Sequence, residues 1–337
     1  MHRLFAFLLF CVGLPAVAAP ECTPHPEFRA ADFSAPITDL GDRNGFPAEF
    51  ELIRLGIQTI IRYYDHPNET IPCKTLTPPE TDFLIRNGFS VAVVFQHNND
   101  RPMTFLQGDR GRKDAARALE LAAANGQPSG SAIYFGVDGV DEALKGASWQ
   151  YGRNKGAPIS GGQAAEMAGR MGRGPFDKHR EFYEIYRTRY AEFFQTPPNA
   201  TPPEAILPYI RTYFEQIAAV FAEHTARTGQ SYRIGGYGSG LVCDFVLERG
   251  LVDFCWLAQS TGWPGYKDFL TSGRWSLEQQ LVTTCRDWPR KSGGPVSLDF
   301  NRVADGRPDF GQWNEPGPRS RSYTAPIRKS GVSCYPD

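Results

Sequence analysis

The stretch Ala132-Ile133-Tyr134-Phe135-Gly136-Val137-Asp138 is six apolar, aromatic or glycine positions closed by one acid. It shows no alternation of apolar and polar residues. A strand built from it is therefore covered on both faces, the condition of a parallel sheet wrapped by helices rather than of a sheet with one wet side. A closed barrel meets that condition. Short β-branched or aromatic runs of the same kind occur at 29–33, 58–63 and 90–95 before it, and at 233–237, 254–259, 277–282 and 295–300 after it. Helical stretches separate several of them. Thr77-Pro78-Pro79-Glu80 opens a helix that stops at Asn87-Gly88, and a second, over 112–124, stops at Asn125-Gly126, with proline and glycine in their usual places at helix starts and ends. From about 203 to 228, Ile206, Ile210, Phe214, Ile217 and Phe221 recur at three- and four-residue spacing, which gives one apolar face to lay on a sheet. Eight strands alternating with helices predict an α/β fold, a (β/α)8 TIM-type barrel of about 250 residues. A doubly wound open sheet is the alternative, but the Gly-x-Gly-x-x-Gly turn it favours is absent after the first strand.

The remainder of the 337 residues divides around this barrel. Arg3, an apolar run over 4–12 and Ala16-Val17-Ala18 form a secretory signal, predicted to be cut after Ala18. The run is too short to span a bilayer. The barrel is expected over 19–315 with a helical insertion at about 142–202 following the fourth strand, and 316–337 is an extended tail. With 36 Lys plus Arg against 37 Asp plus Glu, the formal charge of −1 gives no electrostatic reason to expect nucleic acid or an anionic membrane as partner. Removal of the signal leaves Cys22, Cys73, Cys243, Cys255, Cys285 and Cys334, an even set that reads as disulfide staples in a secreted or periplasmic protein. Six cysteines allow 15 pairings, which the spacing does not sort. No His or Cys spacing argues for a metal, and no cofactor is expected. Among the scattered histidines, His97 stands out for lying next to Gln96.

In such barrels the working groups collect at the carboxyl ends of the strands. Polar residues there are few: Asp32 in the first strand, Arg62 ending the second, Gln96 the third, Asp138 the fourth, Tyr237 the fifth, Gln259 the sixth, and Asp299 near the end of the eighth. Acids and amides bond hydroxyls while rings stack on sugar faces, so this set, with Trp256 and Trp263 close by, reads as a glycan site. Two carboxyl groups flanking a glycosidic bond are what hydrolysis needs. Asp138 follows a buried strand and is the first candidate for the acid/base, because desolvation raises a carboxyl pKa.

Several of these residues occur in ordered motifs: Ala31-Asp32-Phe33-Ser34, Ile61-Arg62-Tyr63-Tyr64, Lys74-Thr75-Leu76-Thr77, Ile133 to Asp138, Gly235-Gly236-Tyr237-Gly238 and Asp309-Phe310-Gly311-Gln312-Trp313. Together they resemble a family of exported bacterial glycoside-hydrolase-like barrels, catalogued as a domain of unknown function and similar in fold to the family 25 lysozymes of peptidoglycan. The resemblance implies that Asp32, Asp138 and Asp299 stand at the family's acidic positions and that Arg62, Tyr237, Trp256 and Gln259 line its pocket. Two positions depart from the pattern. Gln96 stands where members commonly have an acid, and Val140 where the related lysozymes complete an Asp-x-Glu pair. Both changes remove carboxylates. The functional expectation is therefore double: acid/base hydrolysis of a cell-wall or extracellular glycan, or a catalytically inactive carbohydrate-binding or envelope-interaction module on the same barrel.

Overall fold

A computed structural model of the protein describes residues 26–67, 71, 73–100, 102–105, 107–139, 203–260, 262–280 and 286–319. The expected signal, the insertion at about 142–202 and most of the tail lie outside the described residues, as does Val140. Among the described residues there are ten strands: β1 Phe28–Asp32, β2 Thr59–Tyr64, β3 Ser90–Phe95, β4 Ala132–Val137, β5 Arg233–Gly238, β6 Phe254–Leu257, β7 Leu277–Gln280, β8 Asp287–Arg290, β9 Gly293–Ser297 and β10 Asp299–Val303. Eight of them close a barrel in the order β1 to β7 followed by β10, which pairs back to β1. The connecting helices include α1 Ala48–Arg54, α2 Pro78–Arg86, α3 Pro102–Phe105, α4 Arg110–Asn125, α5 Leu207–Thr228, α6 Gly240–Glu248 and α7 Tyr266–Ser272.

The last stave departs from the expected repeat. Residues 295–300 do not form one strand: β9 folds against β8 as a hairpin, and the barrel strand begins at Asp299. β10 runs antiparallel to both β7 and β1, whereas β1 to β7 are mutually parallel. A parallel neighbour needs a crossover, usually helical, but an antiparallel one does not. The barrel is thus mixed, and a hairpin stands between the seventh and eighth staves, where the repeat would place its seventh helix.

Inside and outside follow the two-residue period of strands. Ala30, Ile61, Ala92, Val94, Ala132, Tyr134, Tyr237, Trp256 and Leu277 cluster in the interior. The intervening Ala31, Ile60, Val91, Val93, Ile133 and Phe135 pack with Leu84, Ile210, Phe214 and Ile217 of the helices. Tyr134 lies across the barrel because Gly235 opposite has no side chain: a Cβ there would come 2.4 Å from the Tyr134 ring. Gly235→Ala is expected to cost about 1 to 3 kcal/mol by overpacking. Urea unfolding checks this, and Gly236→Ala is the comparison, since the nearest atom to its Cβ would be the Val246 methyl at 3.4 Å.

The amino end of the barrel is stoppered by residues 309–313. Arg233 holds Asp309 through two bonds of 2.7 and 2.9 Å, the Tyr134 hydroxyl donates to the Phe310 carbonyl at 2.8 Å, and Trp313 exchanges backbone bonds with Val91. Gly311, at φ 88°, leaves no space for a Cβ against Ala132. The Asp309-Phe310-Gly311-Gln312-Trp313 motif is therefore a plug. A disulfide joins Cys243 of α6 to Cys255 of β6, and Cys73 is disulfide-bonded as well. Cys22, Cys285 and Cys334 lie outside the described residues.

Candidate functional site

The open end of the barrel is where β1 to β7 finish and β10 starts. Asp32 is the last residue of β1 and Asp299 the first of β10, and the two are cross-strand partners. Asp299 reaches this rim because its strand is reversed, so a first residue occupies the place that a last residue holds in the other staves. Asp138 and Gln96 directly follow β4 and β3. Tyr63, Tyr237 and Gln279 project from β2, β5 and β7 on the inward parity set by Ile61 and Leu277.

Asp32 is 2% exposed and is gripped from three sides. Its carboxylate accepts from the Tyr63 hydroxyl at 2.9 Å, from Asn301 Nδ2 at 2.9 Å and from Gln279 Nε2 at 3.2 Å. These donors are themselves fixed. Trp256 Nε1 donates to Asn301 Oδ1 at 2.8 Å, and the Tyr237 hydroxyl to Gln279 Oε1 at 3.0 Å. Gln279 Nε2 also reaches Asp299 at 3.4 Å, so one amide spans both carboxyl groups. Asp138 is held differently: Gln96 Nε2 donates to it at 3.0 Å, and its backbone N–H donates to the Asn99 carbonyl.

Burial, reinforced by the neighbouring charge of Asp299, pushes the Asp32 carboxyl up to about 7 against three opposing hydrogen bonds. Burial also raises Asp138, to about 6; Asp100 and Asp299 push the same way, while Lys74 and Gln96 oppose. Asp299 is raised by burial, with Arg286 at 3.5 Å working against the rise. The Tyr63 and Tyr237 hydroxyls are pushed well above their usual range, first by burial and then by the surrounding carboxylates. Asp32 and Asp138 are thus both raised into the range where the protonated and ionised forms coexist near neutral pH. That is the condition for acid/base work on a single bond.

The raised value of Asp32 has a consequence for stability. Its carboxyl goes from 3.8, the ordinary value, to about 7 in the folded protein, so the folded state binds this proton more tightly than the unfolded chain. Its contribution is full below about pH 4 and is lost as pH rises through about 7. Asp32→Asn is expected to flatten the decline of the urea midpoint between pH 4 and 7. An undiminished slope in the variant would sink the assignment.

The other sequence-predicted residues divide. Tyr237 and Gln96 stand in the site. Trp256 is 1% exposed and lies beneath it, acting through Asn301. Gln259 sits beyond β6 and donates to Gln280 at 2.9 Å. Arg62 is outside the group: it faces the helix layer, fully buried, and pairs with Glu80 of α2 at 2.8 Å. Its neighbour Tyr63 points inward instead. Tyr63, Lys74, Gln279 and Asn301 were missed, because a run such as Ile60-Ile61-Arg62-Tyr63-Tyr64 carries no alternation from which to read facing. Trp263 packs against Gly139, where a Cβ would come 2.7 Å from its ring, and so places an aromatic surface beside Asp138. Among the described residues no cluster of three or more His, Cys, Asp or Glu is arranged to hold a metal, and no helix is long and apolar enough to cross a membrane.

The family resemblance read from the strand-end motifs is matched over residues 51–166 by the model of the Rv2525c-like, glycoside hydrolase-like domain. The uncharacterized protein YbfG of Bacillus subtilis (strain 168) is 24% identical over 251 residues, which are 74% of this chain and 25% of that protein. The chain therefore spans about a quarter of that relative's length. Among solved structures, the Tat-secreted protein Rv2525c of Mycobacterium tuberculosis in complex with HEPES is similar at TM-score 0.46 and 19% identity, over 85% of this chain and 98% of that one. The modular autolysin LytC of Streptococcus pneumoniae is similar at TM-score 0.36 and 11% identity, over 81% of this chain and 46% of that one.

Proposed function

We propose that this glycoside-hydrolase-like barrel is an exported protein that hydrolyses a glycosidic bond in a cell-wall or extracellular glycan of the peptidoglycan type. The observation that carries the reading is the gathering at the strand-end rim of three carboxyl groups, Asp32 buried and Asp138 and Asp299 half-buried, all raised by desolvation. Asp138 takes the acid/base role. Gln96 is its one side-chain hydrogen-bond partner among the described residues, so its carboxyl keeps capacity to meet a glycosidic oxygen, and its value lies near the pH of an external medium. Asp32, saturated by three side chains, tunes the field at the pocket, while Asp299, whose Oδ1 accepts no hydrogen bond from the described residues, serves to orient sugar hydroxyls. Tyr237 and Trp263 offer ring surface, and Gln96 and Gln259 offer amides. Export is supported by the 1–18 signal pattern and by the Cys243–Cys255 disulfide. The proposed organisation is a barrel over 19–315, interrupted at 142–202 and followed by the tail 316–337.

A second reading, an inactive carbohydrate-binding or envelope-interaction module, is favoured by one observation. Gln96 stands where a further carboxyl was expected, and Val140 replaces another in the sequence. Incubating the folded protein with purified peptidoglycan and with unmodified polysaccharides separates the two. Release of new reducing ends supports hydrolysis; saturable binding without release supports the module; neither would overturn both.

A further inference from the structure

Lys74 was read as part of a motif and received no role, yet among the described residues it is the one ammonium group set among the carboxylates of the pocket. Its Nζ donates to the Gln96 backbone carbonyl at 3.0 Å and to Gln96 Oε1 at 3.1 Å. The other end of the same amide, Nε2, donates to Asp138 at 3.0 Å. Nζ also lies 4.6 Å from the centre of the Tyr63 ring, whose hydroxyl donates to Asp32. One half-buried cation therefore has two arms, one ending on each carboxyl. We propose that Lys74 is a positioning residue of this site, acting through the Gln96 amide to orient it toward Asp138, to offset the burial that favours the neutral carboxyl, and to keep that carboxyl aimed into the pocket.

The chemistry of position 96 supports this. A carboxylate there would accept from Lys74 but has no hydrogen to give Asp138, and would set two like charges together. An amide accepts at one end and donates at the other. Gln96 is on this account a connecting element in place of an acid, and the ammonium fixes which end faces which partner. Asp138 is faced by Lys74 from the segment before α2, by Gln96 and Asp100 from beyond β3, by Tyr63, Tyr237 and Asp299 from β2, β5 and β10, and by Asp32 through its effect on both tyrosines. Only Lys74 among these brings positive charge. Burial works against the ammonium and lowers its pKa, while Asp65, Asp138 and Asp100 hold it charged.

The inference rests on Asp138 being the working group of the proposed function, but its test does not need turnover. The side-chain carboxyl of Asp138, labelled with carbon-13 and assigned by its loss in Asp138→Asn, is titrated by NMR in the wild type, Lys74→Met, Gln96→Leu, the double variant and Lys74→Arg. Thermal unfolding confirms that each is folded. Lys74→Met and Gln96→Leu are each expected to move the midpoint upward by about one unit, the double variant no further than the larger single, and Lys74→Arg to restore most of the wild-type value. An unmoved midpoint in Lys74→Met, or single shifts that add in full, overturns the relay. Should Lys74→Met not fold, Gln96→Leu and Lys74→Arg carry the same comparison. If the midpoints move while no glycan is cleaved, the relay stands and hydrolysis falls; cleavage with unmoved midpoints means the opposite.

Discussion

Replacing Asp138 with Asn lowers turnover of a cleaved glycan by about 10²- to 10⁴-fold, the usual worth of a general acid/base. Affinity changes little, because Asn keeps the shape of the side chain and Gln96 can still bond to its carbonyl oxygen. The pH profile gives a sharper check. If the protonated carboxyl of Asp138 delivers the proton, kcat falls as pH rises through about 6, and that limb is missing from the residual activity of the variant. Asp32→Asn shows another pattern. Its loss disturbs the three donors around it and weakens sugar binding, raising KM along with the fall in kcat. A variant at Asp138 that retains full turnover would remove this carboxyl from the mechanism.

Arg62→Met is expected to destabilise the fold by about 3 to 5 kcal/mol, since it strands a charge in the interior. Arg62 and Glu80 are both fully buried. The guanidinium meets Glu80 through Nε at 2.8 Å and Nη2 at 3.3 Å and donates to the Phe33 carbonyl, while the Glu80 carboxylate also accepts from the Ile37 backbone at 2.9 Å. The pair thus ties β2, α2 and the chain leaving Asp32 into one unit. Equilibrium unfolding of Arg62→Met, Glu80→Gln and the double variant provides the measure, with the double losing less than the sum of the singles. A loss under about 1 kcal/mol in Arg62→Met would show that water or a rearranged side chain reaches Glu80. The same residue was expected to line the pocket, and its effect on a ligand should come only through this scaffold.

That difference marks where sequence reading stops. The existence of strands was legible from runs with no polar interruption, and β3 was found to the residue at Ser90–Phe95. Asp138 was legible because it closes such a run, and Asp32 because it is the single acid within the first predicted strand. Facing was not, for the same reason that the strands were: a run that is apolar on both faces has no alternation to set inside against outside. Arg62 and Tyr63 were therefore interchangeable on the page and are opposite in the fold. Gln279 and Asn301 needed knowledge of register, and Asn301 depended also on a hairpin over 287–297 that resembles an ordinary apolar strand at Val296 and Leu298. Asp299 was placed correctly at the rim through two departures that offset each other, a later strand start and a reversed direction.

The closing stave also governs how the protein is made. Residue 32 pairs with residue 299, so the ring is sealed by its most distant parts, and a chain growing or emerging from its amino end leaves the outer edges of β1 and β7 open until β10 arrives. Exposed strand edges invite association with other chains, and pairings so far apart in sequence form slowly. The acidic pocket forms at the same moment, since Asp32 and Asp299 meet only at that seam. Before the seam closes neither carboxyl has the other's charge beside it, and a barrel that is not fully closed lacks the electrostatic pairing on which its proposed chemistry depends.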